Sequence, residues 1–127
     1  SLDQAESGAN EIKAAGGKGI ALAADVADRG QMAAAISKFV EFSTGLDVIF
    51  NNAGFNKPMP LLEVTEDNFN AIMRVNGLGV LIGIQEAAKV MIAQGTGGKL
   101  LTPLRLLVAR GTQTLHPTQQ ASLQLML

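Results

Sequence analysis

The sequence predicts an α/β domain, a parallel sheet covered by helices. Two observations lead there. Apolar runs of strand length alternate with segments of helical period, in the order helix, strand, helix, strand, helix, and such alternation implies parallel strands with helices on both faces. The chain has 127 residues, 47% hydrophobic and 17% charged, which suits one compact domain and argues against disorder.

Each element has its own local signals. Residues 2–15 carry helix formers, and Gly16-Gly17 follows as a stop. Residues 19–25, GIALAAD, form a run of strand length. Asp28 is placed to cap a second helix, in which Met32, Ile36, Phe39 and Val40 recur at helical spacing up to Thr44-Gly45. Residues 48–50, inside the apolar run 46–51, are β-prone. Residues 52–64 read as a loop, with Pro58 and Pro60 excluding regular structure.

Thr65 then caps a long helix, with Glu66 and Asp67 complementing its macrodipole. Its apolar residues, Phe69, Ile72, Met73, Leu78, Leu81 and Ile82, lie on more than one face, and residues 95–98 (GTGG) end it. Gly77, Gly79 and Gly83 each cost this helix roughly 1 kcal/mol relative to alanine. Their presence predicts close packing against the sheet, or else a close approach to a ligand or partner helix.

Composition excludes several functions. A net charge of -1 gives no electrostatic grip on nucleic acid or membrane. The absence of cysteine rules out disulfides and thiolate metal sites, and suits a cytoplasmic protein. His116 is the single histidine, which leaves no basis for a zinc site or a Ser-His-Asp triad. The apolar stretch 75–93 is interrupted by Asn76, Gln85, Glu86 and Lys89, so it reads as a buried helix, not a membrane span. The chain opens with Ser1 directly in a helical pattern, the expectation for a piece of a longer protein.

In open α/β sheets, ligands bind beyond the carboxyl ends of the strands. Asn51 and Asn52 stand at one such end, and Asp25-Val26 at the other. An amide there can donate and accept hydrogen bonds. Gly54 lets a flat group approach. The Asp25 carboxylate could accept from an exocyclic amine, and Val26 could flank an aromatic ring. The alternative is a strand followed by an Asx-type turn.

Asp25-Val26, then Asn51-Asn52-Ala53-Gly54, then Val75-Asn76 resembles the short-chain dehydrogenase/reductase family, whose DV, NNAG and VN elements fall in this order. The resemblance covers residues 2–99. It implies a partial Rossmann-like, doubly wound domain over residues 1–99, with NAD or NADP as cofactor. Asp25 and Val26 would contact the adenine, and Asn52, Ala53 and Gly54 would border its ribose. Asn76 would be the asparagine of the catalytic tetrad, supporting a proton-relay water through its helix. The run GIQEAA followed by GGK looks most like members acting on small secondary alcohols, acetoin or polyols. An intact member would be expected to form a homo-oligomer, and the long helix could instead serve as a non-catalytic surface pairing with an intact relative.

Two family segments are missing: the glycine-rich loop for the pyrophosphate and the Tyr-x-x-x-Lys pair, for the chain has no tyrosine. In the family strand order 3-2-1-4-5 the two strands identified here would be third and fourth. At about 4.8 Å per neighbour they would stand roughly 14 Å apart with nothing between. The chain alone is therefore expected to be unstable, rearranged or aggregation-prone. Residues 100–127 read as an aberrant tail, unlike a family strand. Restoring one adenine at the Lys99 codon, with codons chosen within the degeneracy of the code, gives IINTASIAGREGYPDFASYSASKLAV. That string contains the family's serine and YSASK segments, so the tail is expected to be frameshifted, with no chemistry at His116, Arg105 or Arg110.

Overall fold

The computed structural model describes residues 2–103. Helix α1 spans Leu2–Ala14, and Gly16 leaves it with φ +85°. Helix α2 spans Arg29–Ser43, and the Asp28 side chain accepts from the Gln31 N–H at its start. Strand β1 is Val48–Phe50. The loop after it contains a 3-10 turn, Leu61–Glu63. This corrects the expectation that the prolines exclude regular structure. Pro60 takes the N-cap position, where a missing N–H costs nothing.

Helix α3, Glu66–Met73, begins with a full capping box: Thr65 accepts from the Asn68 N–H and Asn68 reaches back to Thr65. Arg74–Gly79 then winds as a π-helical segment before helix α4, Val80–Gln94. The sequence led us to expect an uninterrupted α-helix here. The three pieces form one helical run, Glu66–Gln94, whose length and apolar composition would suffice to cross a bilayer. In this fold it packs against α2 and β1.

Strand β2, Lys99–Leu101, pairs in parallel with β1, Val48 opposite Lys99 and Phe50 opposite Leu101. Leu100 and Leu101 of this strand stand at the start of the run read as an aberrant tail. Leucine has no strong strand preference, so a three-residue strand is set by its neighbour and is invisible locally. The expected strand at 19–25 is absent as a strand. A strand exists through its ladder, and among the described residues nothing pairs with this run.

The core lies on one face of the pair. Ile36 of α2, Leu46, and Ala87 and Met91 of α4 form the buried cluster, with Met32, Val40, Ile49 and Val90 packed around it. Side chains alternate along a strand, so Ile49 points into this layer. Val48 and Phe50 point the other way and remain 48% and 57% exposed. The amide of Gln94 fixes the entry to β1. Its Oε1 accepts from the Leu46 N–H (3.1 Å) and its Nε2 donates to the Leu46 carbonyl (2.7 Å).

The tail reading, with its reading-frame shift, His116, Arg105 and Arg110, falls almost wholly outside the described residues.

Candidate functional site

Apart from Asn76, the residues singled out from sequence sit in two loops, at 25–28 and 51–55, and the short helical stretch that carries Asn76 touches both. That stretch is Arg74–Gly83, the π segment and the first turn of α4. Four contacts make the junction. Arg74 Nη2 lies 3.2 Å from Asp25 Oδ2. Gly79 faces Val26, where an added Cβ would stand 2.7 Å from Cγ2. Asn76 holds the Phe55 backbone on both sides, its Nδ2 donating to the carbonyl (2.9 Å) and its Oδ1 accepting from the N–H (3.0 Å). Gly83 faces the Asn51 side chain so closely that a Cβ there would overlap Oδ1.

Gly79 and Gly83, both buried, present no side chain to the loops, and at Gly79, which faces the stiff Val26 side chain, the close approach depends on this. This settles the meaning of two of the three helix glycines: they are contact points with the loops at 25–28 and 51–55. Gly77 has the Met73 methyl as its nearest neighbour and meets neither loop. A π turn adds one residue to the helix and re-aims the residues downstream of it, and such turns concentrate at functional sites.

Loop 25–28 is built by its own polar atoms. Asp25 Oδ1 accepts from the Ala27 N–H (2.9 Å), and the Asp25 N–H donates to Gln31 Oε1 (2.9 Å). Gln31 also donates through Nε2 to Asp28 Oδ2 (3.1 Å). The Gln31 backbone N–H, then its side chain, hold the Asp28 carboxyl below the ordinary carboxylate range. This is the Asx-turn geometry that the sequence left open, and it leaves the Asp25 carboxylate about half exposed.

In the second loop Asn51 faces inward, its amide donating to Thr102 Oγ1 across the strand pair (3.3 Å). Asn52 and Ala53 are exposed and Gly54 half-buried. Behind the junction, Arg29 at the start of α2 reaches α4. It pairs with Glu86 Oε1 and donates to Gln85 Oε1 (2.6 Å). Lys89 also donates to Glu86 (2.8 Å). Glu86 is 7% exposed, and the hydrogen bonds from Lys89 and then Arg29 pull its pKa below the usual value. Sequence reasoning missed Arg74, Gln94 and the Arg29–Glu86 link. The only available signal was a set of polar residues on an otherwise apolar helix.

The family profile described as short chain dehydrogenase matches residues 1–102. This chain belongs to the short-chain dehydrogenase family. An L-2,3-butanediol dehydrogenase of Corynebacterium glutamicum is 36% identical over 100 residues, 79% of this chain and 39% of the relative. A diacetyl reductase, (S)-acetoin forming, of Staphylococcus epidermidis is 33% identical over 91 residues, 72% of this chain and 35% of the relative. Among solved structures, a gluconate 5-dehydrogenase of Burkholderia cenocepacia in complex with NADP and tartrate superposes with a TM-score of 0.71 at 33% identity. That match covers 80% of this chain and 40% of the other. This short-chain dehydrogenase chain thus spans about two fifths of the relatives it matches, and its fold is the corresponding part of a Rossmann-like α/β domain.

The first loop sets a hydrogen-bond acceptor beside an apolar surface. Asp25 accepts one hydrogen bond at Oδ1 and the Arg74 contact at Oδ2, and a carboxylate has about four acceptor directions. Capacity therefore remains for an amine N–H. Val26 offers apolar surface beside it, and Asn52 and Ala53 are exposed in the second loop.

Proposed function

We propose that this chain is the adenosine-binding portion of an NAD(P)-dependent oxidoreductase that interconverts a small secondary alcohol and a ketone in the cytoplasm. The observation that carries it is the Arg74–Gly83 junction, which unites Asp25-Val26 with the loop of Asn51-Asn52-Ala53-Gly54. Asp25 accepts from the adenine amine and Val26 lies against the ring. Asn52, Ala53 and Gly54 border the ribose. Asn76 holds this last loop through Phe55 and, as the tetrad asparagine, supports the relay water through its helix. The alcohol and ketone names among the relatives, butanediol and acetoin, support the substrate class, and the NADP held by the gluconate 5-dehydrogenase supports the cofactor. When bound, the nicotinamide would accept or deliver the hydride.

The acid/base step is a different matter. A tyrosine serves it in the family, and this chain has none. The proposal therefore separates binding from turnover. The 127-residue chain is expected to bind 5′-adenosine monophosphate, with chemical-shift changes at Asp25, Val26 and Ala53. It is also expected to give no hydride transfer above an enzyme-free blank with butanediol or acetoin. Shift changes confined to α1 would sink the adenosine-site reading, and turnover above the blank would refute the expected inactivity alone.

A second reading draws on a separate observation. Phe69, Met73 and Leu81 on the helical run are exposed apolar residues, and such a stripe suits pairing with an intact relative. Co-purification of the chain with a full-length relative, lost on Leu81→Glu, favours it. Absence of any complex removes it.

A further inference from the structure

We propose that Arg74 is the positioning residue for adenine recognition, holding the Asp25 carboxylate with its remaining acceptor capacity toward a 6-amino group. The inference rests on the adenosine-site reading above and goes beyond it by assigning base selectivity to a residue outside the DV and NNAG motifs.

The Arg74–Asp25 pair joins residues 49 positions apart, and its side chains are 56% and 46% exposed. An ion pair that exposed contributes little to folding stability, because water screens it and both side chains lose rotamer freedom. Its effect on Asp25 is more specific. A lone half-exposed aspartate can swing between rotamers and expose either oxygen. Here the Ala27 N–H takes Oδ1 and Arg74 takes Oδ2, so both oxygens are fixed.

Arg74 is also the first residue of the π segment, two positions before Asn76. Asn76 clamps the backbone of Phe55. One short turn therefore sets the base acceptor and the ribose loop in register. A ligand that presents a donor at position 6 of the purine meets a fixed acceptor. One that presents a carbonyl there meets acceptor against acceptor, and rejection comes from the unpaired groups.

The test compares adenosine and inosine 5′-monophosphates, which share phosphate and ribose and differ at position 6. Each is titrated into the full 127-residue chain by heteronuclear NMR, with trimethylamine oxide present to favour the compact state. The unsubstituted chain should prefer the adenine nucleotide by about tenfold. Arg74→Met should bring the two affinities to within about twofold, and Arg74→Lys, which keeps a cationic donor, should restore part of the preference. Any phosphate attraction lost with the guanidinium affects both nucleotides and cancels in the ratio.

An unchanged ratio in Arg74→Met, with binding retained, overturns this assignment alone. An unfolded Arg74→Met, seen in the α4 amide spectrum, assigns Arg74 to stability and also overturns it. No binding of the adenine nucleotide by the unsubstituted chain overturns the adenosine-site reading itself.

Discussion

Alanine placed at three helix glycines tests whether the helix truly rests on the two loops. Gly8 of α1 has open space around its missing Cβ. Gly8→Ala should gain close to the full helix-propensity difference, about 1 kcal/mol. At Gly79 the new methyl would stand 2.7 Å from Val26 Cγ2, 3.2 Å from its Cβ and 3.5 Å from its carbonyl carbon. A β-branched side chain at that distance has no flexible end to move, and forced overpacking costs about 1–3 kcal/mol. Set against a propensity gain of up to about 1 kcal/mol, Gly79→Ala should lose about 1 kcal/mol.

Gly83 is the intermediate case. Its neighbour is the end of the Asn51 side chain, which can rotate away at the cost of its bond to Thr102. That bond is worth about 1 kcal/mol, so Gly83→Ala should be near neutral. Urea denaturation monitored by far-UV circular dichroism gives the three values at equal m. If Gly79→Ala stabilises as much as Gly8→Ala, the helix does not rest on Val26 and the site geometry is wrong.

Other perturbations reach the remaining contacts. Glu86 has a pKa below its ordinary 4.5, so its stabilising effect is complete above that value and is lost as pH falls through the lower folded one. Urea midpoints should therefore drop on acidification, and Glu86→Gln should flatten that part of the profile. A profile of unchanged slope would remove the Lys89–Glu86–Arg29 link as a contributor. Asn76→Ala removes both hydrogen bonds to Phe55; with about 1 kcal/mol per bond, amide exchange at Phe55 should quicken by about tenfold or more while the α4 core keeps its protection.

Local chemistry was legible in the sequence, and pairing across the chain was not. The Asp28 and Thr65 caps could be read because a cap is completed within three residues. The glycines of the long helix announced a close approach, though not its targets. Residues 19–25 have strand composition, but a ladder needs a partner, and composition cannot report its absence. β2 was missed for the complementary reason: Lys-Leu-Leu says nothing of a strand until β1 lies beside it. At the site, Asp25, Asn52 and Gly54 stood out by motif. Arg74 did not, because its meaning lies 49 residues away. The Gln94 clamp on Leu46 was hidden likewise, 48 residues from its partner.

The π turn gives the helix a property like that of a key with two sets of teeth. Within it Arg74 and Asn76 are cut to fit Asp25 and Phe55; downstream, Gly83 is cut to fit Asn51. Each residue of an α-helix turns the wheel by about 100°. Deleting a single residue between Gly77 and Gly79 would straighten the shaft and rotate one set against the other. No side chain of the site would have been touched, yet both loops could not be engaged together. In this chain, spacing along residues 74–83 carries as much information as the identity of the residues themselves.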